Sequence, residues 1–179
     1  MDYQSFFHEN GVECQAGLKK EEFLAIEDAY KIVFPMEYKR LLEQVLPISQ
    51  GFYNWRDFSP SNYSHIKMLI KEPIEQFWEN AVEVCWNTDW GNEPKDSNEL
   101  VDIVRHKLVF APKLIPVFSH RYIPMCGGNN NPVFSVCGTD VIYYGSNIDE
   151  YLEIEFKKKK QQSIDFPKVK KIPFWSEVI

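Results

Sequence analysis

No stretch of this chain approaches the roughly 18 apolar residues that a membrane-spanning helix requires. The opening, Met-Asp-Tyr-Gln-Ser-Phe-Phe-His-Glu-Asn, has neither a basic start nor a long apolar core. A secretory signal would need both, so a cytoplasmic location is expected. Cysteine is sparse: Cys14, Cys85, Cys126 and Cys137. No Cys-x-x-Cys pair occurs, which removes zinc-finger spacing. A chain of 179 residues can bury enough core to do without disulfides, so all four are expected as reduced packing residues, although Cys126 and Cys137 share one apolar stretch. The sequence has no Gly-x-Ser-x-Gly elbow, no Walker-type loop and no His-Glu-x-x-His. Gly127-Gly128 precedes three asparagines and reads as a turn, not a phosphate cradle. No cofactor and no metal is expected.

What is present is apolar and aromatic. Hydrophobic residues make up 44% and aromatics 15%, which places the chain among folded globular proteins. Its length suits one domain. The most organised stretch runs from Ala111 to Gly145. Short runs of Val, Ile, Phe and Tyr alternate there with Gly, Asn, Asp and Pro. That pattern predicts neighbouring strands joined by tight connections. Gly138-Thr139-Asp140 divides two runs and predicts a hairpin with Gly138 at positive φ.

Helices are predicted on both sides of this meander. Phe23, Ile26 and Tyr30 recur at helical spacing within Leu18 to Ile32. Phe34-Pro35 interrupts, and Pro35 suits the start of a second helix to Leu46, with Tyr38, Leu41, Leu42 and Val45 as its stripe. Ser49 to Tyr63 reads as a loop whose aromatics, Trp55 among them, form a lid or a binding surface. Ser64 to Trp86 is predicted mostly helical, with Pro73 at a start or a kink. Ser97 is the expected N-cap of a further helix. Asn147 with Glu150 three residues later predicts a late helix from a capping-box-like start, with a strand as the competing reading. Residues 1–17 are expected to be partly ordered, and Ile172 to Trp175 to dock back on the body. The expectation is a single α+β domain over 1–179: a core of about 18–156, then a basic segment and docking tail, 157–179.

Charge is unevenly spread. Residues 157–171 carry seven lysines and one acid, so the remaining body has 13 basic and 25 acidic residues, a net of −12. Such a body argues against general nucleic-acid binding, which needs phosphate neutralisation. His120 and Arg121 are the only pair that suggests chemistry. A metal site or a general base would need further ligands or an orienting partner. Hydrogen bonding of a strand-end His and Arg to loops is the plainer reading.

The order of these segments resembles the SUKH superfamily, the group of the yeast Smi/Knr regulator and many bacterial immunity proteins. The resemblance rests on Leu18 to Glu27, on Phe34-Pro35-Met36-Glu37-Tyr38 leading into a helix, on Leu114 to Phe118, on Asn131 to Tyr144, and on Asn147 to Leu152. It covers about residues 18–156. Where that family often has an Asn-Gly-Gly turn, this chain reads Pro47-Ile48-Ser49-Gln50-Gly51. The resemblance implies a sheet with helices packed on it, protein binding without a common catalytic centre, and, for bacterial members, toxin neutralisation. The expected partner is a basic toxin domain, steered by the acidic body. The candidate partner-binding residues are Trp55, Trp90, Glu79, Glu83, Asp89, Glu93, His120 and Arg121. The alternative is an enzyme or small-ligand-binding protein using His120-Arg121-Tyr122 and Asn129-Asn130-Asn131.

Overall fold

In the computed structural model, which describes residues 1–179, the elements run α1 (Tyr3–Glu9), β1 (Cys14–Ala16), α2 (Lys20–Tyr30), α3 (Met36–Gln44), β2 (Val45–Pro47), α4 (Pro60–Glu79), α5 (Ser97–Leu108), β3 (Leu114–Phe118), β4 (Arg121–Pro124), β5 (Val133–Cys137), β6 (Asp140–Gly145) and α6 (Ile148–Glu155). The architecture is α+β. Strands β3 to β6 form an antiparallel meander in chain order, and β1 pairs with β2 in a separate two-stranded sheet.

The meander is buried on both faces. Successive side chains on a strand point to opposite sides. Ile115, Val117, Ile123 and Val133 enter one core with α1, α2, α3 and the first half of α4. Leu114, Tyr122, Phe134, Val136, Val141 and Tyr143 enter a second core with α5 and the C-terminal segment. Helix α6 bridges them: Tyr151 and Leu152 lie in the first core and Ile154 in the second. Each fully buried large apolar side chain contributes about 1.5–3 kcal/mol, so the two cores dominate stability.

Local chemistry fixes the connections. Gly138 has φ +60° and opens the two-residue loop between Cys137 and Asp140, as predicted. Pro116 lies in β3, an edge strand, where a missing N–H breaks no ladder. Gly145 has no room for a side chain: a Cβ there would stand 2.6 Å from Tyr151 Cα. It lets α6 lie directly on β6.

Several expectations need correction. Residues 3–9 form a helix, capped by Asp2 accepting from the Ser5 N–H, and Tyr3, Phe6 and Phe7 are buried. With Ile172, Phe174, Trp175 and Val178 also buried, the core reaches past 18–156 at both ends. Helix α4 begins at Pro60 and continues through Pro73, whose ring faces the core. Asp96, not Ser97, caps α5, accepting from the N–H groups of Asn98 and Glu99. Asn147 caps α6 as expected, accepting from the Glu150 N–H at 2.9 Å. All four cysteines are free, yet Cys85 and Cys137 are exposed and are not packing residues. Cys126 follows β4 at one end of the sheet and Cys137 ends β5 at the other, so the meander separates them.

Candidate functional site

The sequence-predicted residues divide by burial. Trp55 is fully buried and presents nothing to a partner. Its indole N–H donates to the Tyr38 hydroxyl at 3.2 Å, and Tyr30 and Phe34 pack edge-on against it. The loop 49–59 is a core lid pinned by Arg56, which donates to Glu22 at 2.5 Å and to the carbonyl oxygens of Ala16 and Gly17. That guanidinium, with the Lys19 N–H, holds the Glu22 carboxyl down to about 2.

Arg121 is also buried and cannot form part of a contact surface. Its Nε faces Glu155 Oε2 at 3.2 Å, its Nη1 donates to Ser135 at 2.9 Å, and its guanidinium lies 3.8 Å from the Tyr144 ring centre. It ties β4 to β5 and α6. His120 is exposed at the β3–β4 turn, where its Nδ1 meets Ser119 Oγ at 3.2 Å. Partial burial, then the Arg121 charge, lower its pKa. The asparagines lie at the opposite end of β4, so the structure does not bring His120 and Asn129-Asn130-Asn131 together. Asn131 is buried: its N–H donates to Glu37 at 2.7 Å, and Lys170 donates to its Oδ1 at 2.7 Å. One member of the lysine-rich segment therefore fastens this loop. No group of three or more His, Cys, Asp or Glu side chains is placed to hold a metal ion.

Glu79, Glu83, Asp89 and Glu93 are all exposed, and they belong to a larger feature. Residues 72–102 carry nine carboxylates and one lysine, a net of −8, against −6 for the whole chain. They sit on the C-terminal half of α4, on the 3-10 turns Ala81–Glu83 and Thr88–Trp90, and on α5. These elements pack together: α5 contacts both the first turn and α4, and Asn87 bonds the carbonyl of Glu177. None of the nine carboxylates makes a salt bridge, although Glu9, Glu22, Glu27, Asp28, Asp149, Glu150, Glu155 and Asp165 elsewhere all do. Glu75 lines a cavity with Lys31, Lys67, Lys71 and Lys113 without an ion pair to any of them, and the other eight carboxylates of the acidic face have no ion-pair partner within the molecule.

Its aromatic component is not the residue expected. Trp90 is half-buried, with its indole donating to Glu177 at 2.6 Å and its ring stacked on Phe174. The exposed tryptophan is Trp78 on α4, 45% accessible. Arg105 of α5 lies 4.9 Å from the Trp78 ring and donates to the Trp78 carbonyl at 3.1 Å, which ties α5 to the end of α4 beside the indole. Val82, Val109 and Phe110 are exposed on the flanking elements. Sequence reasoning missed Trp78 because it adjoins Phe77 and reads as part of the buried stripe. The signal was its offset from the Ile70–Ile74–Phe77 spacing.

No family model, no curated protein and no solved structure matches this chain. No helix is long and apolar enough to cross a membrane.

Proposed function

We propose that this chain is a non-catalytic protein-binding module whose acidic face receives a basic protein, with Trp78 as the central anchor. The observation that carries this reading is the set of nine carboxylates over residues 72–102, none of them ion-paired, on elements that also carry the exposed Trp78. Like charges held together without counter-charges cost stability, and a cationic partner relieves that cost. Tryptophan and arginine are the residue types that most often dominate binding energy at interface centres. The SUKH resemblance supplies the partner class: a toxin domain, basic if it acts on nucleic acid, neutralised in the cytoplasm by its immunity protein.

The test examines the neighbouring genes for a toxin domain, whose absence counts against the reading, and measures the association of any such domain with this chain by stopped flow. The expected on-rate falls steeply between about 0.05 and 0.5 M salt, because the Debye length shrinks roughly threefold over that range. The triple variant E79K/E83K/D89K should associate more slowly at low salt without loss of thermal stability. A neighbouring toxin that is acidic, or an on-rate indifferent to salt and to these substitutions, refutes the reading.

A further inference from the structure

One cavity has the opposite sign to the acidic face. Along α4, Lys67, Ile70, Lys71 and Ile74 recur at i, i+3, i+4 and i+7 and so share one face. Tyr30 and Lys31 at the end of α2, together with Lys113 just before β3, close the other sides. The enclosed volume is about 310 Å³, at the lower end for a small-ligand site. Tyr30, Ile70 and Ile74 give it an apolar floor. Tyr30 is 5% exposed, and its hydroxyl is buried without a hydrogen-bond partner.

Four lysines line a space that also has one acidic residue, Glu75, in its wall. Outside it, Asp28 neutralises Lys31 at 2.6 Å. No carboxylate pairs with Lys67, Lys71 or Lys113. Lys113 donates to the Lys31 carbonyl at 3.0 Å, which offsets the negative end of α2. Lys67 lies 5.5 Å from the Tyr63 ring. After Glu75 and Asp28 are counted, two positive charges remain, in a chain whose net charge is −6.

We propose that this cavity binds a small organic phosphomonoester, with its dianionic head on Lys67, Lys71 and Lys113 and its apolar body on Tyr30, Ile70 and Ile74. A phosphomonoester carries close to two negative charges above pH 7, which matches the residual charge. A monocarboxylate or a sulfate monoester answers only half of it. Inorganic phosphate answers the charge and leaves the floor uncovered. Lysine holds phosphate as a point charge, without the planar geometry an arginine fork demands.

Isothermal titration of the full chain at pH 7.5 and low salt, with phenyl phosphate, phenyl sulfate and inorganic phosphate, tests this. Phenyl phosphate should bind about tenfold more tightly than either of the others. K67E/K71E should lose that binding while keeping the wild-type melting temperature and the wild-type association at the acidic face. Phenyl sulfate or inorganic phosphate matching phenyl phosphate overturns the proposal, as does a K67E/K71E protein that still binds, or no binding at millimolar ligand. Co-sedimentation with phosphatidic acid vesicles separates the sources. Vesicle binding together with phenyl phosphate binding supports the phosphomonoester chemistry and assigns it to a lipid. Vesicle binding without it overturns the proposal.

Discussion

Replacing Arg121 by alanine should destabilise the protein severely, although the neighbouring His120→Ala should not. The Arg121 and Glu155 side chains are 11% and 18% exposed, so their interaction is weakly screened. The two charges face each other at 3.2 Å without hydrogen-bond alignment at Arg121 Nε or Glu155 Oε2, so much of the attraction is Coulombic. Deleting one partner leaves the other buried and unpaired, at a cost of about 3–5 kcal/mol. For a chain of 179 residues, about 2–4 °C is lost per kcal/mol, so the melting temperature should fall by roughly 6–20 °C. The double variant R121M/E155Q removes both charges at similar volume and should recover most of that loss. His120→Ala, at an exposed turn, should stay within about 0.5 kcal/mol of wild type. Urea denaturation of wild type, R121M, E155Q and R121M/E155Q completes a double-mutant cycle, with R121A and H120A measured alongside. An R121A loss below about 1 kcal/mol, or a double variant no better than the sum of the single ones, refutes the buried-pair reasoning. The cycle also bears on any activity assay, because loss of activity in R121A reports unfolding before it reports chemistry.

Three further outcomes are expected. Trp78→Ala should change stability by less than about 0.5 kcal/mol and raise the off-rate of the proposed basic partner, whereas Trp55→Ala should cost about 3–5 kcal/mol; equal melting temperatures for the two would contradict their assigned burial. Gly145→Ala forces a Cβ against the Tyr151 backbone and should cost about 1–3 kcal/mol in denaturant melts, with wild-type stability as the contrary result. Arg56→Ala should flatten the acid limb of the stability profile. Glu22 is held at about 2 when folded, below its ordinary 4.5, so its contribution is present above about pH 4.5 and is lost as pH falls toward 2. An unchanged acid limb in R56A would show that other carboxylates set it.

The legible parts of this fold are those where period and punctuation agree. Gly138 between two β-rich runs specifies the hairpin, and Asn147 before an apolar quartet specifies α6. The short elements were not legible. Helix α1 has seven residues, about two turns, too few for a 3.6-residue period to show, so only Asp2 and the Phe6-Phe7 pair hinted at it. Trp55 lies in a loop, where no period says which way a side chain points; only packing against Tyr30 and Phe34 settles it. Arg121 looked like surface because it follows His120, but His120 lies in the β3–β4 turn while Arg121 opens β4, and its partner Glu155 lies 34 positions away in sequence. The acidity of residues 72–102 was plain from composition. That none of those carboxylates is ion-paired was not, because pairing depends on where the lysines go. Lys159 and Lys170 from the basic segment pair with or bond to Glu150 and Asn131 instead.

The two cores draw on different parts of the chain, and this sets an order of events during synthesis. The first takes residues between Tyr3 and Leu152, while the second needs Ile164, Val169, Ile172, Phe174, Trp175 and Val178. A nascent chain can therefore assemble one side of the meander while the other side still waits for segments inside the ribosome. Until those segments emerge, Leu114, Phe134 and Val141 present a bare apolar sheet to solvent. The Trp175 indole, bonded to the Pro112 carbonyl at 2.8 Å, closes that face last. Chaperone demand should therefore concentrate in the interval between the emergence of β6 and the emergence of Val178 from the ribosome.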